Sequence, residues 1–342
     1  MQGKPSHIVF FTGASGGHIY PACVLRKFLD ASIVAIKTKT SQKILENQKK
    51  VFFIHPLAIK KIRPKAFIDI ILLCFFLIRT KPEVFLCFGS YLNLLGVIFG
   101  KILGAKVLFF EPNLIPGRGT KLLKNFADKI FYAFPETLKY LPKNKSVQTK
   151  IPVRQSHKTP EKIIEEMHFN FSTPVILVLG GSQGSAFINS LIIKNLPHFS
   201  FYQIIHITGK RDFEKVKSQY NFHRNKHFVV AFTEKVPDFM KISKVVISRA
   251  GAGTLAEISK NKVPSILIPF EAAEGHQKLN AKFLEEKGAA VVFEESQIKR
   301  LNLKEIIDKI LLEDFWKIKE NLVKIELADN GRDLMERLKK WL

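Results

Sequence analysis

One local unit, an apolar strand followed by a glycine-rich turn and a helix, occurs twice in this 342-residue chain. The first copy, IVFFTGASGGHIYPACVLRKFL, spans residues 8–29, and the second, VILVLGGSQGSAFINSLIIKNL, spans 175–196. A third strand and turn, VVISRAGAGTLAEISKNK, follows at 245–262. Short, continuously apolar strands that alternate with helices are typical of a parallel sheet covered on both faces. The two restarts therefore predict an α/β protein with two Rossmann-like domains.

The remaining segments of the first half fit the same plan. Strands are predicted at Ile8–Phe11, Val84–Phe88 and Val107–Phe110, and helices at Tyr20–Leu29 and Leu92–Leu103. The polar stretch RQSHKTPEKIIEE, residues 154–166, predicts a linker that opens a helix. Ligands of such sheets bind at the carboxyl ends of the strands, so we expect the two parallel sheets to face a central cleft.

The charge of the chain is strongly basic and unevenly distributed. Lys and Arg number 54 against 30 Asp and Glu, a formal net charge of +24. Residues 1–155 hold 25 basic and 7 acidic side chains, whereas the remainder holds 29 and 23. A basic first half predicts a polyanionic partner, either nucleic acid or an anionic membrane. A lysine-rich proteome is the alternative explanation, but it does not account for the asymmetry.

An apolar run at 66–78 lies inside KKIRPKAFIDIILLCFFLIRTKP, residues 60–82, and has basic residues on both sides. The run is too short to span a bilayer, which takes about 20 residues. A short apolar helix with a basic collar is typical of a segment that lies in an anionic membrane interface. The alternative is a core helix whose ends happen to be basic, and the sequence leaves both open.

The three glycine-rich turns predict anion binding without a recognised nucleotide signature. The first has the spacing Gly13-x-x-Gly16-Gly17, which matches neither the G-x-G-x-x-G fingerprint nor a Walker A motif. Glycines allow ligand oxygens to approach the backbone, and the N–H groups at a helix start favour negative charge. The same argument applies to the turns at 180–184 and 250–254. Each turn alone also fits tight packing of a helix against a strand.

One carboxylate near these turns is a candidate for binding a ribose. Glu257 lies one helical turn after Gly253 and Thr254. If phosphates bind at that helix start, its two oxygens can accept hydrogen bonds from a ribose diol. A glutamate in the early turns of a helix is otherwise explained by the helix dipole.

The segment ILIPFEAAEGHQKLNA, residues 266–281, predicts a strand followed by a polar loop that enters a new helix. The loop carries His276 and Gln277, and a loop at this end of a strand is suited to binding sugar hydroxyls. Glu271, Glu274 and His276 lack the spacing of a metal site. We therefore predict neither a metal nor a cofactor.

Six motifs together carry a family resemblance that covers nearly the whole chain. They are TGASGGHIYPA near the start, EPNLIPGRGTKLL (111–123), IPVR (151–154), LGGSQGS (179–185), SRAGAGTLAEI (248–258) and PFEAAEGHQKLNA (269–281). The chain closely resembles the lipid-linked N-acetylglucosaminyltransferases of bacterial peptidoglycan synthesis, which are two-domain GT-B enzymes of glycosyltransferase family 28. The resemblance implies inverting transfer of GlcNAc from UDP-GlcNAc to the C4 hydroxyl of MurNAc in undecaprenyl-diphosphoryl-MurNAc-pentapeptide (lipid I). The products are lipid II and UDP.

The resemblance also implies a division of labour between the domains. Residues 1–155 form the acceptor and membrane-docking domain, and residues 156–327 form the UDP-GlcNAc-binding domain. The final helix, at about 328–342, packs back on the first domain. Substrate contacts are implied for Ser15, Gly16, Gly17, Asn113, Arg154, Ser182, Thr233, Ala252, Gly253, Thr254, Leu255, Ala256, Glu257 and Gln277. Among these, Ser182 matches the serine at the diphosphate, Thr233 a residue near the uracil, and Gln277 a residue that binds GlcNAc hydroxyls.

The catalytic base is not fixed by the resemblance. His18 is the first candidate, because a near-neutral pKa suits proton removal from the acceptor hydroxyl. Glu111 is the second candidate, and an ordinary loop-ordering histidine is the alternative reading of His18. The chain departs from the family at Ala14-Ser15, where Gly-Thr is typical, and at Pro112, where Gln is common. These departures bear on donor geometry more than on the reaction.

The implied acceptor gives the basic first half and residues 66–78 a role in docking on an anionic membrane. We expect a peripheral protein at the cytoplasmic face of the bacterial cell membrane, with cell-wall synthesis proteins as further candidate partners and no nucleic acid. Three cysteines without C-x-x-C spacing and the lack of a signal-peptide pattern agree with a reducing compartment. A glycolipid synthase with a diacylglycerol acceptor is one alternative, against which EPNLIPGR argues. A nucleic-acid-binding protein is the other, but no recognition helix or aromatic platform accompanies the charge.

Overall fold

The computed structural model describes residues 7–56, 64–181, 183–222, 226–271 and 275–342. It divides the chain into two compact units. Unit 1 comprises Met1–Val153 and Ala328–Leu342, and unit 2 comprises Arg154–Leu327. The chain therefore leaves unit 1 after Val153 and returns to it at Ala328.

Unit 1 is built on a seven-stranded parallel sheet. Its strands are β1 (Ile8–Thr12), β2 (Ala31–Ile36), β3 (Val51–Ile54), β4 (Val84–Cys87), β5 (Lys106–Glu111), β6 (Lys129–Tyr132) and β7 (Ser146–Gln148), in the spatial order β3-β2-β1-β4-β5-β6-β7. Its helices before the passage to unit 2 are α1 (Gly16–Leu25), α2 (Lys39–Leu45), α3 (Pro64–Thr80), α4 (Leu92–Leu103) and α5 (Arg118–Leu123). Strands β1, β2 and β4 are each buried along their whole length, which is why their sequences are predominantly apolar.

Unit 2 repeats this plan with a six-stranded parallel sheet. Its strands are β9 (Val175–Leu179), β10 (Gln203–Ile207), β11 (His227–Val230), β12 (Val245–Ser248), β13 (Ser265–Leu267) and β14 (Val291–Val292), in the order β11-β10-β9-β12-β13-β14. Its helices are α6 (Pro160–Glu166), α7 (Ala186–Asn195), α8 (Phe213–Gln219), α9 (Val236–Ile242), α10 (Ala252–Asn261), α11 (His276–Glu286), α12 (Glu295–Ile298), α13 (Leu303–Lys309) and α14 (Phe315–Val323). The two restarts of the strand–turn–helix unit are thus β1–α1 and β9–α7.

The strand order reverses once in each sheet, and this reversal positions the candidate site. In unit 1 the chain runs outward from β1 to β3 and then returns to pair β4 with β1. In unit 2, β12 returns to pair with β9 in the same way. The loops that follow the two neighbouring strands separate at such a reversal and leave a crevice at the carboxyl edge.

Helix α4 has the predicted bounds, whereas α1 differs from its predicted bounds of Tyr20–Leu29. It begins earlier, because the carbonyl of Ser15 accepts hydrogen bonds from the N–H groups of His18 and Ile19, each at 3.1 Å. The helix ends at Leu25, and turns follow it. The early start brings His18 into the first turn of the helix.

Helix α3 contains the 66–78 segment and is buried on one side only. Ala66, Leu73 and Leu77 pack into the unit, and Asp69, the single acid of the segment, bonds to the N–H and Nδ1 of His55 at 2.7 and 2.6 Å. The opposite side exposes six large apolar side chains, which are Phe67, Ile68, Ile71, Leu72, Phe75 and Ile78. A fully buried core helix is therefore the wrong reading. Among the described segments, no helix is both long and apolar enough to cross a membrane.

The C-terminal segment completes unit 1. A two-residue strand β8 (Ile151–Pro152) pairs in parallel with β15 (Ala328–Asp329), and helix α15 (Arg332–Leu338) follows. Asp333 fastens this helix, because its Oδ2 accepts hydrogen bonds from Thr149 Oγ1 at 2.7 Å and from the Lys150 N–H at 2.9 Å. Burial opposes ionisation of Asp333, but these bonds and the ion pair with Arg337 outweigh it and lower the pKa of the carboxyl.

We predict that Asp333→Asn lowers the free energy of unfolding by about 1–3 kcal/mol, because the hydrogen bonds from Thr149 and Lys150 to α15 lose their charged acceptor. A folded-state pKa below the unfolded value stabilises the protein above that unfolded value, about 3.9 for Asp. The difference between wild type and variant should therefore shrink as the pH falls below about 4. Urea unfolding over a pH series measures it. The exposed Glu336→Gln on the same helix is the control, with an expected change within about 0.5 kcal/mol. Equal effects of the two variants would contradict the anchoring role.

Candidate functional site

The crevice of unit 1 is formed by the loops after β1 and β4, and His18 lies between them. A Cβ atom on Gly13 would be 2.2 Å from His18 Nδ1, and one on Gly89 would be 3.1 Å from His18 Nε2. Gly89 also has a φ of +101°, a conformation that favours glycine. The imidazole therefore occupies the space that two side chains at these positions would need.

The environment of His18 keeps its imidazole neutral. Nδ1 is buried without a hydrogen-bond partner, although the residue as a whole is partly exposed. Burial lowers the pKa of His18 to about 4, because the charged form loses its hydration. At neutral pH the ring therefore has an unprotonated nitrogen that can accept a proton.

The Ser15-Gly16-Gly17 turn lies directly before His18. Ser15 is the residue that precedes α1, and its side chain does not cap the helix. Gly17 is exposed, and a Cβ atom there would meet only Ser15 Oγ, at 3.9 Å. Because the first N–H groups of a helix lack partners within it, this turn can bind an anion through its backbone.

Glu111, the second candidate base, organises the loop that follows β5. Its Oε1 accepts hydrogen bonds from the N–H and Nδ2 of Asn113, both at 3.1 Å, and its Oε2 accepts one from the N–H of Gly117 at 2.9 Å. Burial raises the pKa of the carboxyl, and the bonds from Gly117 and Asn113 oppose that shift. Both oxygens, and the side chain of Asn113, are thus engaged inside the loop.

The loop after β4 was not predicted as part of the site. It belongs to the crevice because β4 is the strand that pairs beside β1. Ser90 has a φ of +75°, and the fully buried Asn93 accepts a hydrogen bond from the N–H of Gly89 at 3.1 Å. Asn93 Nδ2 is buried without a partner. The signal in the sequence was Phe88-Gly89-Ser90, a glycine turn directly after an apolar strand.

The crevice of unit 2 contains the start of α10. The residue before the helix is Gly251, and the first helical bond joins the N–H of Leu255 to its carbonyl at 3.0 Å. The N–H groups of Ala252, Gly253 and Thr254 precede that bond and lie at the N-terminus of the helix, which is the positive end of its dipole. The predicted residues Leu255 and Ala256 are fully buried in the core of the unit.

Glu257 lies on the same helix and forms an ion pair with Arg154. Arg154 Nη2 is 3.1 Å from Glu257 Oε1, and both side chains are largely buried. Arg154 Nη1 also donates to the carbonyl of Glu234 at 3.3 Å. The guanidinium therefore connects α10 to the loop after β11, which carries Thr233. Thr233 Oγ1 accepts a hydrogen bond from the N–H of Lys235 at 3.0 Å.

The glycine turn after β9 packs tightly on the loop after β10. A Cβ atom on Gly184 would lie 2.2 Å from the carbonyl oxygen of Thr208, and Gly181 and Gly184 have φ values of +85° and +78°. Ser185 caps α7 through a bond from the N–H of Ile188 at 3.3 Å. Ser182 lies outside the described residues. Gly180 and Gly184 are thus needed for close packing, whereas Gly181 is favoured by its positive φ alone.

Gln277 lies in the first turn of α11, where its Oε1 accepts a hydrogen bond from the N–H of Phe270 at 3.0 Å. The polar loop after β13 is thereby tied to the helix that follows it. Glu274 lies outside the described residues. The described ranges hold no cluster of three or more His, Cys, Asp or Glu side chains that could bind a metal ion.

Two family models match the chain, one in each unit. The model of the glycosyltransferase family 28 N-terminal domain matches residues 8–132, and that of the family 28 C-terminal domain matches residues 175–326. Both crevices lie within the matched ranges.

Curated relatives match over most of their length. Two of them are named UDP-N-acetylglucosamine–N-acetylmuramyl-(pentapeptide) pyrophosphoryl-undecaprenol N-acetylglucosamine transferase. The protein from Borreliella burgdorferi is 30% identical, over 93% of this chain and 92% of the relative. The protein from Lawsonia intracellularis is 31% identical, over 89% of this chain and 87% of the relative. The crystal structure of MurG from Acinetobacter baumannii is similar with a TM-score of 0.73 and 24% identity, covering 98% of this chain and all of that one. Anabaena HepE in complex with UDP-glucose has a TM-score of 0.65 at 12% identity, covering 98% and 100%.

These similarities confirm the GT-B fold class and the family predicted from the sequence. The chain belongs to glycosyltransferase family 28, among relatives named as the N-acetylglucosamine transferases that act on N-acetylmuramyl-(pentapeptide) pyrophosphoryl-undecaprenol.

Proposed function

We propose that this chain transfers GlcNAc from UDP-GlcNAc to the C4 hydroxyl of MurNAc in lipid I, with inversion, and forms lipid II and UDP. The observation that carries the proposal is the start of α10 in unit 2. Three backbone N–H groups precede the first helical bond there, and a paired carboxylate follows on the same helix. This combination suits a nucleoside diphosphate, and the model of the family 28 C-terminal domain matches a range that includes these residues.

Unit 2 is the proposed donor-binding unit. The diphosphate binds at the N–H groups of Ala252, Gly253 and Thr254, where the helix dipole favours negative charge. Glu257 binds the ribose diol through Oε2, while its Oε1 remains bonded to Arg154. Negative charge grows on the diphosphate as the bond to the sugar breaks, so the same N–H groups stabilise the leaving group. Thr233 and Gln277 are the proposed contacts to the uracil and to GlcNAc.

We predict that Glu257→Gln raises the KM for UDP-GlcNAc by about 10- to 100-fold, because a hydrogen bond to a charged group contributes about 1.5–3 kcal/mol. The measurement is acceptor-dependent release of UDP, with a lipid I analogue as acceptor. The exposed Glu286→Gln on α11 is the matched control and should leave KM unchanged. Turnover by wild type with a diacylglycerol acceptor instead of the lipid I analogue would contradict the assigned acceptor. Absence of any UDP-GlcNAc binding would contradict the function as a whole.

Unit 1 is the proposed acceptor-binding unit, and His18 is the proposed base. The C4 hydroxyl oxygen attacks the anomeric carbon, the bond from that carbon to the diphosphate breaks, and the hydroxyl proton passes to His18. The pKa of His18 is lowered to about 4, so the near-neutral value expected from the sequence is wrong: the ring is unprotonated at neutral pH but is a weaker base than a free imidazole. Glu111 is the weaker candidate, because its oxygens are already engaged by Asn113 and Gly117.

We predict that His18→Gln lowers kcat by about 100-fold or more without changing the affinity for UDP-GlcNAc, since a positioned base contributes about 10²–10⁴ in rate. Because the pKa of His18 is lowered to about 4, kcat/KM of wild type should stay level from pH 7 to about 5 and fall only towards pH 4. Glu111→Gln should lower the melting temperature as well as the rate, because it weakens the loop. A larger rate loss in a stably folded Glu111→Gln than in His18→Gln would reverse the assignment.

The exposed apolar side of α3 is the proposed contact with the membrane. The proposed membrane contains anionic lipids, because unit 1 is rich in Lys and Arg. The six apolar side chains on that side would enter the interface while the basic residues contact headgroups. The protein would then work as a peripheral protein at the cytoplasmic face of the bacterial cell membrane, where the lipid-linked acceptor lies. Cell-wall synthesis proteins are further proposed partners.

We predict that Phe67→Ser with Phe75→Ser reduces binding to phosphatidylglycerol vesicles by more than about tenfold, because two large apolar side chains no longer enter the interface. These side chains are 65% and 68% exposed. Phe171→Ser with Phe201→Ser, at 59% and 73% exposure in unit 2, is the matched control. Sedimentation with vesicles measures the binding. Equal losses in the two double variants would show that apolar area alone, and not this helix, determines docking.

A further inference from the structure

Arg249 is a buried arginine at the carboxyl edge of unit 2. It follows Ser248, the last residue of β12, and precedes the turn that opens α10. Its Nη1 donates hydrogen bonds to the carbonyls of Ile268 and Pro269, at 3.0 and 3.2 Å. The residue is only 8% exposed. A buried guanidinium is costly unless its N–H groups are paired, so these bonds hold the segment after β13 in place.

The other sides of the guanidinium are also occupied. Nη2 lies 2.5 Å from Oε1 of Glu295, the first residue of α12. The ring centroids of Phe187, on α7, and Phe270, after β13, lie 5.7 and 5.3 Å from the guanidinium carbon. Arg249 is therefore enclosed by α7, α12 and the segment at 268–270, which we call the arginine cage.

The arginine cage is connected to the loop that carries Gln277. Phe270, whose ring lies against Arg249, donates its N–H to Gln277 Oε1 at 3.0 Å. On the same helix as Gln277, the fully buried Asn280 donates from Nδ2 to the carbonyl of Ala250 at 3.3 Å. Arg249 therefore holds Phe270, and Phe270 in turn holds the side chain of Gln277. The helix that carries Gln277 is also bonded to Ala250, the neighbour of Arg249 in the chain.

We propose that Arg249 is a positioning residue for the sugar of the donor: it holds Phe270, and through it Gln277, in the geometry that binds the sugar, without contacting the donor itself. The inference rests on the proposed function, since it takes Gln277 as the GlcNAc contact. It adds a determinant of sugar binding that acts through Phe270 and Gln277.

Charge explains why this role differs from direct phosphate binding. An arginine beside a phosphate turn could bind the diphosphate. The Nη atoms of Arg249 are instead directed to two carbonyls and to the carboxylate of Glu295, which neutralises its charge. Lysine cannot replace this arrangement, because an ammonium is a point charge and lacks the planar fork that reaches several acceptors and stacks on rings.

The experiment compares the affinities of the purified full chain for UDP and for UDP-GlcNAc by titration calorimetry. Arg249→Lys should raise the Kd for UDP-GlcNAc by about tenfold, since a sugar contact displaced by a fraction of an ångström loses most of its value. The Kd for UDP should change by less than about twofold, because the contacts to nucleotide and diphosphate remain. Arg300→Lys, an exposed arginine of the same unit, is the matched control and should change neither Kd.

A second variant guards against misfolding of Arg249→Lys. Glu295→Gln keeps a bond to the guanidinium but removes the ion pair, so it should weaken UDP-GlcNAc binding selectively and by less. If Arg249→Lys does not fold, the inference is tested by the ratio of the Kd for UDP-GlcNAc to the Kd for UDP in Glu295→Gln, which should be higher than in wild type.

Two outcomes would overturn the inference. Equal losses of UDP and UDP-GlcNAc affinity would mean that Arg249 binds the diphosphate directly. Unchanged affinity for both ligands in a folded Arg249→Lys, or in Glu295→Gln when the first variant does not fold, would mean that the cage is only structural. If wild type binds UDP and UDP-GlcNAc with the same Kd, Gln277 does not contribute to sugar binding and the inference fails. If wild type binds neither ligand, the proposed function fails as well.

Discussion

Parallel strands that are buried on both faces leave only their edges for chemistry, and in each unit the strand order reverses at one place along the carboxyl edge. The loops that separate there are the ones that follow β1 and β4 in unit 1, and β9 and β12 in unit 2. His18 occupies the first of these openings and the start of α10 the second. In unit 2, Arg154 connects Glu257 on α10 to the loop after β11. The sheet topology therefore decides where binding can occur, and side chains decide what is bound.

Buried charged groups around the two openings are paired in different ways. Glu257 has a guanidinium partner, Glu111 has backbone and amide donors within its own loop, and Arg249 has two carbonyls and a carboxylate. Each pairing lowers the cost of burying a charge and at the same time fixes a loop. A group that is fully engaged in this way positions its neighbours, whereas Nδ1 of His18 is buried without a hydrogen-bond partner.

Much of this arrangement could be predicted from the sequence because it depends on local patterns. The apolar runs at β1, β4 and β9 and the glycine turns after β1, β9 and β12 were recognisable, and so was Glu257 on the helix after a turn. The ion pair of Glu257 with Arg154 was not, since it joins residues far apart in the chain. For the same reason Arg249 passed unnoticed inside its own motif. Its partners come from α7, the end of β13 and α12, and only folding brings them together.

The pairing of Ala328–Asp329 with Ile151–Pro152 has a consequence during synthesis of the protein. Gly331 lies near Val24 and Phe28, so residues that follow unit 2 in the chain pack beside the end of α1. At about 5–20 residues per second, the ribosome needs about 10–35 seconds to make the intervening unit 2. Throughout that time unit 1 lacks its last strand and helix, and its folding can be completed only after unit 2 has left the ribosome. Unit 1 thus begins to emerge before unit 2 and is completed after it.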